Sequence, residues 1–134
     1  MPMTSDLSSK VTEGIRVNVR CTYVHDESSP RHHYFLFAYK ISIINESPFP
    51  VQLLRRCWHI TDGYGQKREV KGKGVIGKQP HIPPGQSHEY VSGVDFTGPI
   101  GRMQGHYIMK RTTDNSLLKV EIPPFVLCYP FLNN

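Results

Sequence analysis

The stretch GIRVNVRCTYV, residues 14–24, alternates apolar and polar side chains one for one. A period of two puts every second side chain on the same face of an extended chain, whereas a helix repeats its apolar positions every three or four residues. The apolar positions are Ile15, Val17, Val19, Cys21 and Tyr23. The pattern therefore predicts a β-strand with one buried face and one face in water.

Further strand-like segments follow along the chain, whereas helical patterns are nearly absent. They are YFLFAYKISIIN (34–45), VQLLRRCWHITD (51–62), KREVKG (67–72), SHEYVSG (87–93), GRMQGHYIMKR (101–111) and SLLKVEIPPFVL (116–127). Two segments, DGYGQ (62–66) and TTDN (112–115), predict turns that close hairpins. About seven strands without a β-α-β pattern predict an all-β, antiparallel two-sheet sandwich, with a barrel as the alternative.

The third of these segments carries the single tryptophan of the chain, Trp58. Strict alternation divides this strand into one face with Leu54, Arg56, Trp58 and Ile60, and another with Leu53, Arg55, Cys57 and His59. We expect the first face to point inward, so that Trp58 fills the core between the two sheets.

The length and composition favour one domain. We expect residues 1–13 to be a flexible lead and residues 14–134 to form the sandwich, because 134 residues can bury a real core. The first ten residues lack the apolar segment of a secretory signal, and no apolar run is long enough to span a membrane. Three widely spaced cysteines, Cys21, Cys57 and Cys128, predict buried thiols in a reducing cytoplasm.

A glycine motif in KGKGVIGKQPHIPPG, residues 71–85, resembles a dinucleotide-binding turn. Gly72, Gly74 and Gly77 have the G-x-G-x-x-G spacing. That motif needs a helix whose N-terminus meets the phosphates, and the prolines that follow from Pro80 onward forbid one. We therefore predict a loop between strands that binds no dinucleotide cofactor.

The same loop could still contact a phosphate group or a protein partner. Five cations and one acid lie between residues 67 and 78, beside glycines that expose backbone amides. The candidate anion- or partner-binding residues are Gly72, Lys73, Gly74, Gly77 and Lys78. The simpler interpretation is a solvated loop whose lysines keep the surface soluble.

Metal and catalytic sites are not expected. Cys57 and His59 share a strand face, so two ligands could converge there, but a site needs further ligands and no metal-binding spacing occurs among the seven histidines. Ser87, His88 and Glu89 are adjacent on a strand, so they point to alternate faces and cannot form a relay. We therefore predict no catalytic residue, no metal and no cofactor.

The charge balance says little about nucleic acid. The formal net charge is +5. The sequence does not cluster Lys and Arg with aromatic residues in the way that would predict a groove for nucleic acid. Arg55 and Arg56 together with the loop lysines are the residues that a nucleic acid would contact. We consider this the weakest of the three binding hypotheses.

Several segments, which follow one another along the chain in the order found in the ApaG family, resemble that family. They are CWHITDGYGQ (57–66), KGKGVIGKQPHIPPGQSHEYVSG (71–93), GRMQGHYIMK (101–110) and IPPFVL (122–127). The resemblance runs from about Gly14 to Leu127 and implies a fibronectin type III-like sandwich related to the immunoglobulin fold. One departure is that the family loop often carries acidic residues, where this chain has Lys71, Lys73 and Lys78.

The resemblance also implies a class of function. Bacterial members are associated with cobalt resistance and magnesium efflux, and related domains in larger proteins are presumed to bind proteins. We therefore expect a non-catalytic module that binds an as yet unidentified protein, with an indirect link to metal-ion efflux. The alternative is an accessory protein that binds phosphate or nucleotide anions weakly through the glycine-rich loop.

Overall fold

Nine β-strands and two single-turn 3₁₀ helices make up residues 7–131, the part of the chain that the computed structural model describes. The strands are β1 (Ser8–Thr12), β2 (Ile15–Tyr23), β3 (Phe35–Asn45), β4 (Val51–Asp62), β5 (Lys67–Lys73), β6 (His81–Ile82), β7 (Ser87–Phe96), β8 (Ile100–Arg111) and β9 (Leu117–Cys128). The 3₁₀ helices, His25–Glu27 and Pro30–His32, lie between β2 and β3.

The strands form two antiparallel sheets that face each other. The first sheet has the order β1-β2-β3-β7, and the second has the order β5-β4-β8-β9, with β6 paired to β4. Every pairing is antiparallel. The predicted two-sheet sandwich is confirmed and the barrel is wrong. Nine strands replace the predicted seven because β1 and the two-residue β6 were not anticipated.

Strand β1 corrects the prediction of a flexible lead. Ser8–Thr12 pair with β2 along their whole length, from Ser8 opposite Val19 to Thr12 opposite Ile15. Glu13 and Gly14 turn the chain between them with positive φ angles of 49° and 82°. The prediction is wrong for these residues because an edge strand needs only backbone hydrogen bonds, and its polar side chains can stay in water. Residues 1–6 of the predicted lead lie outside the described residues.

The core lies between the inner faces of the two sheets. The five apolar positions of the stretch 14–24 are all at most 5% exposed, which confirms the predicted strand face. From the second sheet, Trp58 is 3% exposed and packs its ring edge-to-face against Tyr39 and Phe125, with centroid separations of 5.5 and 5.9 Å. Such aromatic pairs stabilise the core beyond the area they bury.

A β-bulge in β4 changes which leucine enters the core. The pairing with β8 shifts between Leu53 and Arg55, so one extra residue is inserted at this point. Leu53 is fully buried and Leu54 is half-buried, the reverse of the predicted assignment. Beyond the bulge the predicted faces are correct, because Trp58 points inward and His59 is exposed.

Two further predictions concern the cysteines and the membrane. Within residues 7–131, no disulfide joins the three cysteines. Cys21 and Cys57 are buried, but Cys128 is exposed at the end of β9, so the prediction of buried thiols is wrong for Cys128. In the same residues there is no helix with the length and apolar character needed to cross a bilayer.

Candidate functional site

The glycine motif forms a small hairpin that continues from β5. Val75 and Lys78 form a bridge across a two-residue turn, in which Ile76 and Gly77 have φ angles of 48° and 71°. Val75 is buried in the core, whereas Ile76 is 59% exposed at the tip. No helix follows, since the chain passes into the short strand β6. Residues 74–78 are therefore a loop between strands, as predicted, whereas Gly72 and Lys73 belong to strand β5, which corrects the prediction for these two residues.

Gly74 is required by the backbone, and Gly72 by a contact that a flexible side chain could relieve. At Gly74, φ is +65° and an added β-carbon would collide with the carbonyl oxygen of Lys78, conditions that glycine tolerates. An added β-carbon at Gly72 would lie 2.5 Å from Nη1 at the end of the Arg56 side chain, whose guanidinium donates to the carbonyl oxygen of Gly74 at 2.8 Å. The spacing that resembles a nucleotide-binding turn thus has a structural explanation.

The hairpin's amides and lysines do not converge on one point. The amide of Gly74 donates to the carbonyl oxygen of Leu54. The amides of Val75 and Lys78 each donate to the carbonyl oxygen of the other residue. Lys73 lies opposite Arg55 in the sheet register. The charge of Lys78 instead affects His88 of β7. Burial is the larger cause that lowers the pKa of the His88 imidazole, and the Lys78 charge is the second.

The outer face of the second sheet gathers more charge than the hairpin. The register aligns Lys73 with Arg55 on β4, then with Ile108 on β8 and Lys119 on β9. The row beside it contains Lys71, Cys57, His106 and Glu121, and the next contains Glu69, His59 and Gln104. We call this surface the cationic face. Its charged residues are Arg55, Lys67, Lys71, Lys73, Arg102, Lys110 and Lys119, with the carboxylates Glu69 and Glu121.

Two shallow hollows lie on the cationic face. One, of about 540 Å³, is lined by residues that include Arg55, Cys57, Lys71 and His106. The other, of about 560 Å³, includes Arg102, and His59 lies between the two because it lines both. The side chain of Cys57 is short, so the space between the longer side chains of Arg55, Lys71 and His106 stays open.

One cluster in this surface has specific geometry: Cys57, His59 and Glu69. The Sγ atom of Cys57 lies 3.6 Å from Nε2 of His59, and Nδ1 of His59 lies 3.5 Å from a carboxylate oxygen of Glu69. Glu69 also pairs with the ammonium of Lys71 at 3.2 Å. The shared face of Cys57 and His59 was predicted. The part played by Glu69 was missed, although counting residue pairs back from the DGYGQ turn would have found it.

His106 completes the surroundings of this cluster from β8. It lies directly opposite Cys57 in the register. Burial, and after it the positive charge of Lys119, lowers the pKa of its imidazole. His106 is therefore neutral at physiological pH, and one of its two ring nitrogens can accept a hydrogen bond or bind a metal.

The other sequence candidates do not assemble into a catalytic site. Glu89 accepts a hydrogen bond from Ser42 and pairs with Lys40, on the outer face of the first sheet. Asp62 accepts the amides of Tyr64 and Gln66 at 2.9 Å each, which is the turn chemistry expected of DGYGQ.

The tandem arginines are also separated by the fold. Arg55 is exposed on the cationic face, whereas Arg56 points inward and bonds to the hairpin. A sequence motif of two neighbouring cations therefore contributes only one of them to the surface.

A buried tyrosine pair was not anticipated from the sequence. The hydroxyls of Tyr90 and Tyr107 hydrogen-bond to each other across the two sheets. Burial raises the pKa of both phenols, so both stay protonated at physiological pH. Their hydrogen bond satisfies polar groups in the core and joins β7 to β8.

Comparison with known proteins agrees with this architecture. The family model described as the ApaG domain matches residues 25–111. The chain is 45% identical to Protein ApaG of Klebsiella pneumoniae (strain 342) over 116 residues, which covers 87% of this chain and 92% of that protein. It is also 45% identical to Protein ApaG of Mesorhizobium japonicum over 120 residues, covering 90% and 92% of the two chains.

Solved structures show the same fold. The X-ray structure of structural genomics target SoR45 superimposes with a TM-score of 0.84 at 36% identity, covering 93% of this chain and 94% of that one. The C-terminal domain of wzt superimposes with a TM-score of 0.54 at 5% identity, covering 92% and 77%, which shows a likeness of fold alone. Because the family model matches most of the sandwich and the relatives match nearly its full length, this chain belongs to the ApaG domain family.

Proposed function

We propose that this protein is a non-catalytic binding module that holds an acidic segment of a partner protein on the cationic face. The observation that carries the proposal is the charge of that face, where seven Lys and Arg side chains surround two carboxylates. Such an excess of one sign raises the local concentration of an oppositely charged partner and favours its docking.

The arrangement of the cations suits an extended acidic segment. Strand β5 lies at an edge of its sheet and presents Lys67, Lys71 and Lys73 on one face, with Glu69 at the position between Lys67 and Lys71. An extended partner with carboxylates opposite the three lysines and an uncharged residue opposite Glu69 would match this spacing along the strand. The hollow beside Cys57 gives room for partner side chains between the lysines and His106.

Two features favour a protein over a nucleic acid as the partner. The rows of the cationic face contain no Phe, Tyr or Trp among the strand residues that the structure describes, so nucleobases find no stacking platform there. Glu69 and Glu121 lie among the cations and would repel a continuous phosphate backbone. Acidic side chains of a protein can be placed to avoid these two positions.

The remaining parts of the proposal follow from the family and the composition. The module needs no cofactor and acts by binding. It works in the reducing cytoplasm, for which the thiol of the buried Cys57 is suited. Its connection to cobalt resistance and magnesium efflux, which the family resemblance implies, is indirect and runs through the bound protein.

The alternative, weak phosphate or nucleotide binding by Gly72, Lys73, Gly74, Gly77 and Lys78, has less support. The amides of Gly74, Val75 and Lys78 already donate within the chain. An anion nest needs several free amides that point to one site. We retain this alternative as an outcome of the test.

The test uses calorimetry to measure the binding of a short Asp- and Glu-rich peptide. The peptide is titrated into the wild-type protein and into two variants with the same number of reversed charges. Arg55→Glu with Lys73→Glu removes one cross-strand pair of the cationic face, and Arg20→Glu with Lys40→Glu removes a cross-strand pair from the first sheet. Both variants reverse two positive charges, so net charge is matched. We expect the first to weaken binding at least tenfold, about 1.4 kcal/mol, and the second to change it little.

Three results would contradict the proposal. Equal losses in the two variants would mean that only net charge matters. Tighter binding of a single-stranded oligonucleotide than of the peptide, with a steep salt dependence, would assign the face to nucleic acid. Micromolar binding of ATP or diadenosine tetraphosphate that Lys78→Gln abolishes would support the glycine-loop alternative.

A further inference from the structure

The cluster of Cys57, His59 and Glu69 joins three kinds of metal-ligating side chain from two neighbouring strands. Cys57 and His59 are two residues apart on β4 and point to the same side, and Glu69 lies opposite His59 on β5. One ligand atom from each residue lies within 4.8 Å of the other two. This cluster is distinguished by distances between specific atoms, whereas the proposed partner binding rests on the charge of the cationic face.

The separation between sulfur and nitrogen matches a tetrahedral ion. Zinc binds cysteine sulfur at about 2.3 Å and histidine nitrogen at about 2.0 Å, so a tetrahedral angle separates the two atoms by about 3.5 Å. Sγ of Cys57 and Nε2 of His59 are 3.6 Å apart. The distance between the two atoms is therefore the one expected for two ligands of the same ion.

Glu69 supplies a carboxylate oxygen to the same cluster. One of its oxygens is 3.5 Å from Nδ1 of His59, and one of its ligand atoms lies within 4.8 Å of those of Cys57 and His59. Zinc also binds carboxylate oxygens, at about 2.0–2.2 Å, so Glu69 can act as the third ligand.

The fourth ligand position opens into the hollow, which His106 also lines from β8, opposite Cys57. The ammonium of Lys71 pairs with Glu69 at 3.2 Å and opposes the binding of a cation. The Lys71 side chain is 70% exposed, so it can turn to solvent when a cation binds.

We propose that Cys57, His59 and Glu69 bind one zinc ion, with water in the open fourth position. The combination of a thiolate with an imidazole selects zinc over magnesium or calcium, which prefer oxygen ligands. Binding replaces the thiol proton, which is released to solvent, with a sulfur–zinc bond. The site revises our prediction, made from the sequence, of no metal.

The experiment uses the full chain, purified without an affinity tag and stripped of metal. Zinc affinity is measured in competition with a chromophoric chelator, and cadmium is then used as a probe, since thiolate ligation gives an ultraviolet charge-transfer band. We expect one equivalent of zinc and a cadmium band in the wild type. Cys57→Ser and His59→Gln should abolish both, and Glu69→Gln should weaken zinc binding about tenfold or more.

Cys128→Ser is the matched control, because it removes an exposed thiol that has no imidazole partner among the described contacts. It should bind zinc as the wild type does. In a second measurement, zinc should slow alkylation of Cys57 and leave that of Cys128 unchanged, which tests the site without any variant that could fail to fold. Unchanged zinc binding in His59→Gln, or alkylation of Cys57 that zinc does not slow, would overturn the proposal.

Discussion

Replacing Gly74 by alanine separates a structural from a ligand-binding role for the glycine motif. The new methyl group would collide with the carbonyl oxygen of Lys78, which accepts the amide of Val75 at 2.8 Å. A left-handed φ costs a non-glycine residue about 1–2 kcal/mol, and forcing a methyl group into packed surroundings costs about 1–3 kcal/mol more. We expect Gly74→Ala to lower the free energy of unfolding by about 2–5 kcal/mol.

Gly77→Ala provides the matched control. Gly77 has a similar φ of +71°, but no atom lies within 4 Å of an added β-carbon. Its cost should be the backbone preference alone, about 1–2 kcal/mol. With a urea dependence of about 2 kcal/mol per molar, the two midpoints should differ by about 1 M. Equal urea midpoints for the two variants would refute the packing argument, and a folded Gly74→Ala that loses nucleotide binding would restore the ligand-binding role.

Three further predictions follow from the core and its titrating groups. Trp58→Ala should cost about 3–5 kcal/mol in urea unfolding, whereas Tyr64→Ala at an aromatic residue that is 69% exposed should cost little. Asn45→Ala should cost about 2–4 kcal/mol in the same assay, because the fully buried amide bonds to two carbonyls and a serine. Burial and the Lys78 charge lower the pKa of His88 in the folded state, so stability should fall as the pH drops below about 6.5, and His88→Gln should flatten that slope in pH-dependent unfolding.

Alternation along the strands predicted most of the architecture. The inner face of β2 and the burial of Trp58 follow from a period of two, since that period is fixed by strand geometry. The bulge at Leu53 could not be predicted in this way, because it depends on how β4 and β8 pair. Strand β1 was missed for a related reason: its backbone pairs with β2, and its side chains carry no pattern.

The candidate site was predictable only in part. The shared face of Cys57 and His59 is a local property of one strand, and the sequence indicated it. The position of Glu69 could have been counted from the hairpin turn that joins β4 to β5, whereas that of His106 requires the register of β8 with β4, which no local pattern encodes. The glycine spacing pointed toward phosphate chemistry, and the close approach of Gly74 to the Lys78 carbonyl oxygen reveals its packing role.

The most direct test of the central claim is to map the binding surface residue by residue. Backbone amide shifts of the isotope-labelled protein are recorded by NMR while an acidic peptide is added. We expect the changes to concentrate on the outer face of the second sheet, around Arg55, Lys71 and Lys119, with little change in the hairpin at residues 74–78. Shifts confined to residues 74–78, or spread over the outer face of the first sheet around Lys40, would contradict the account.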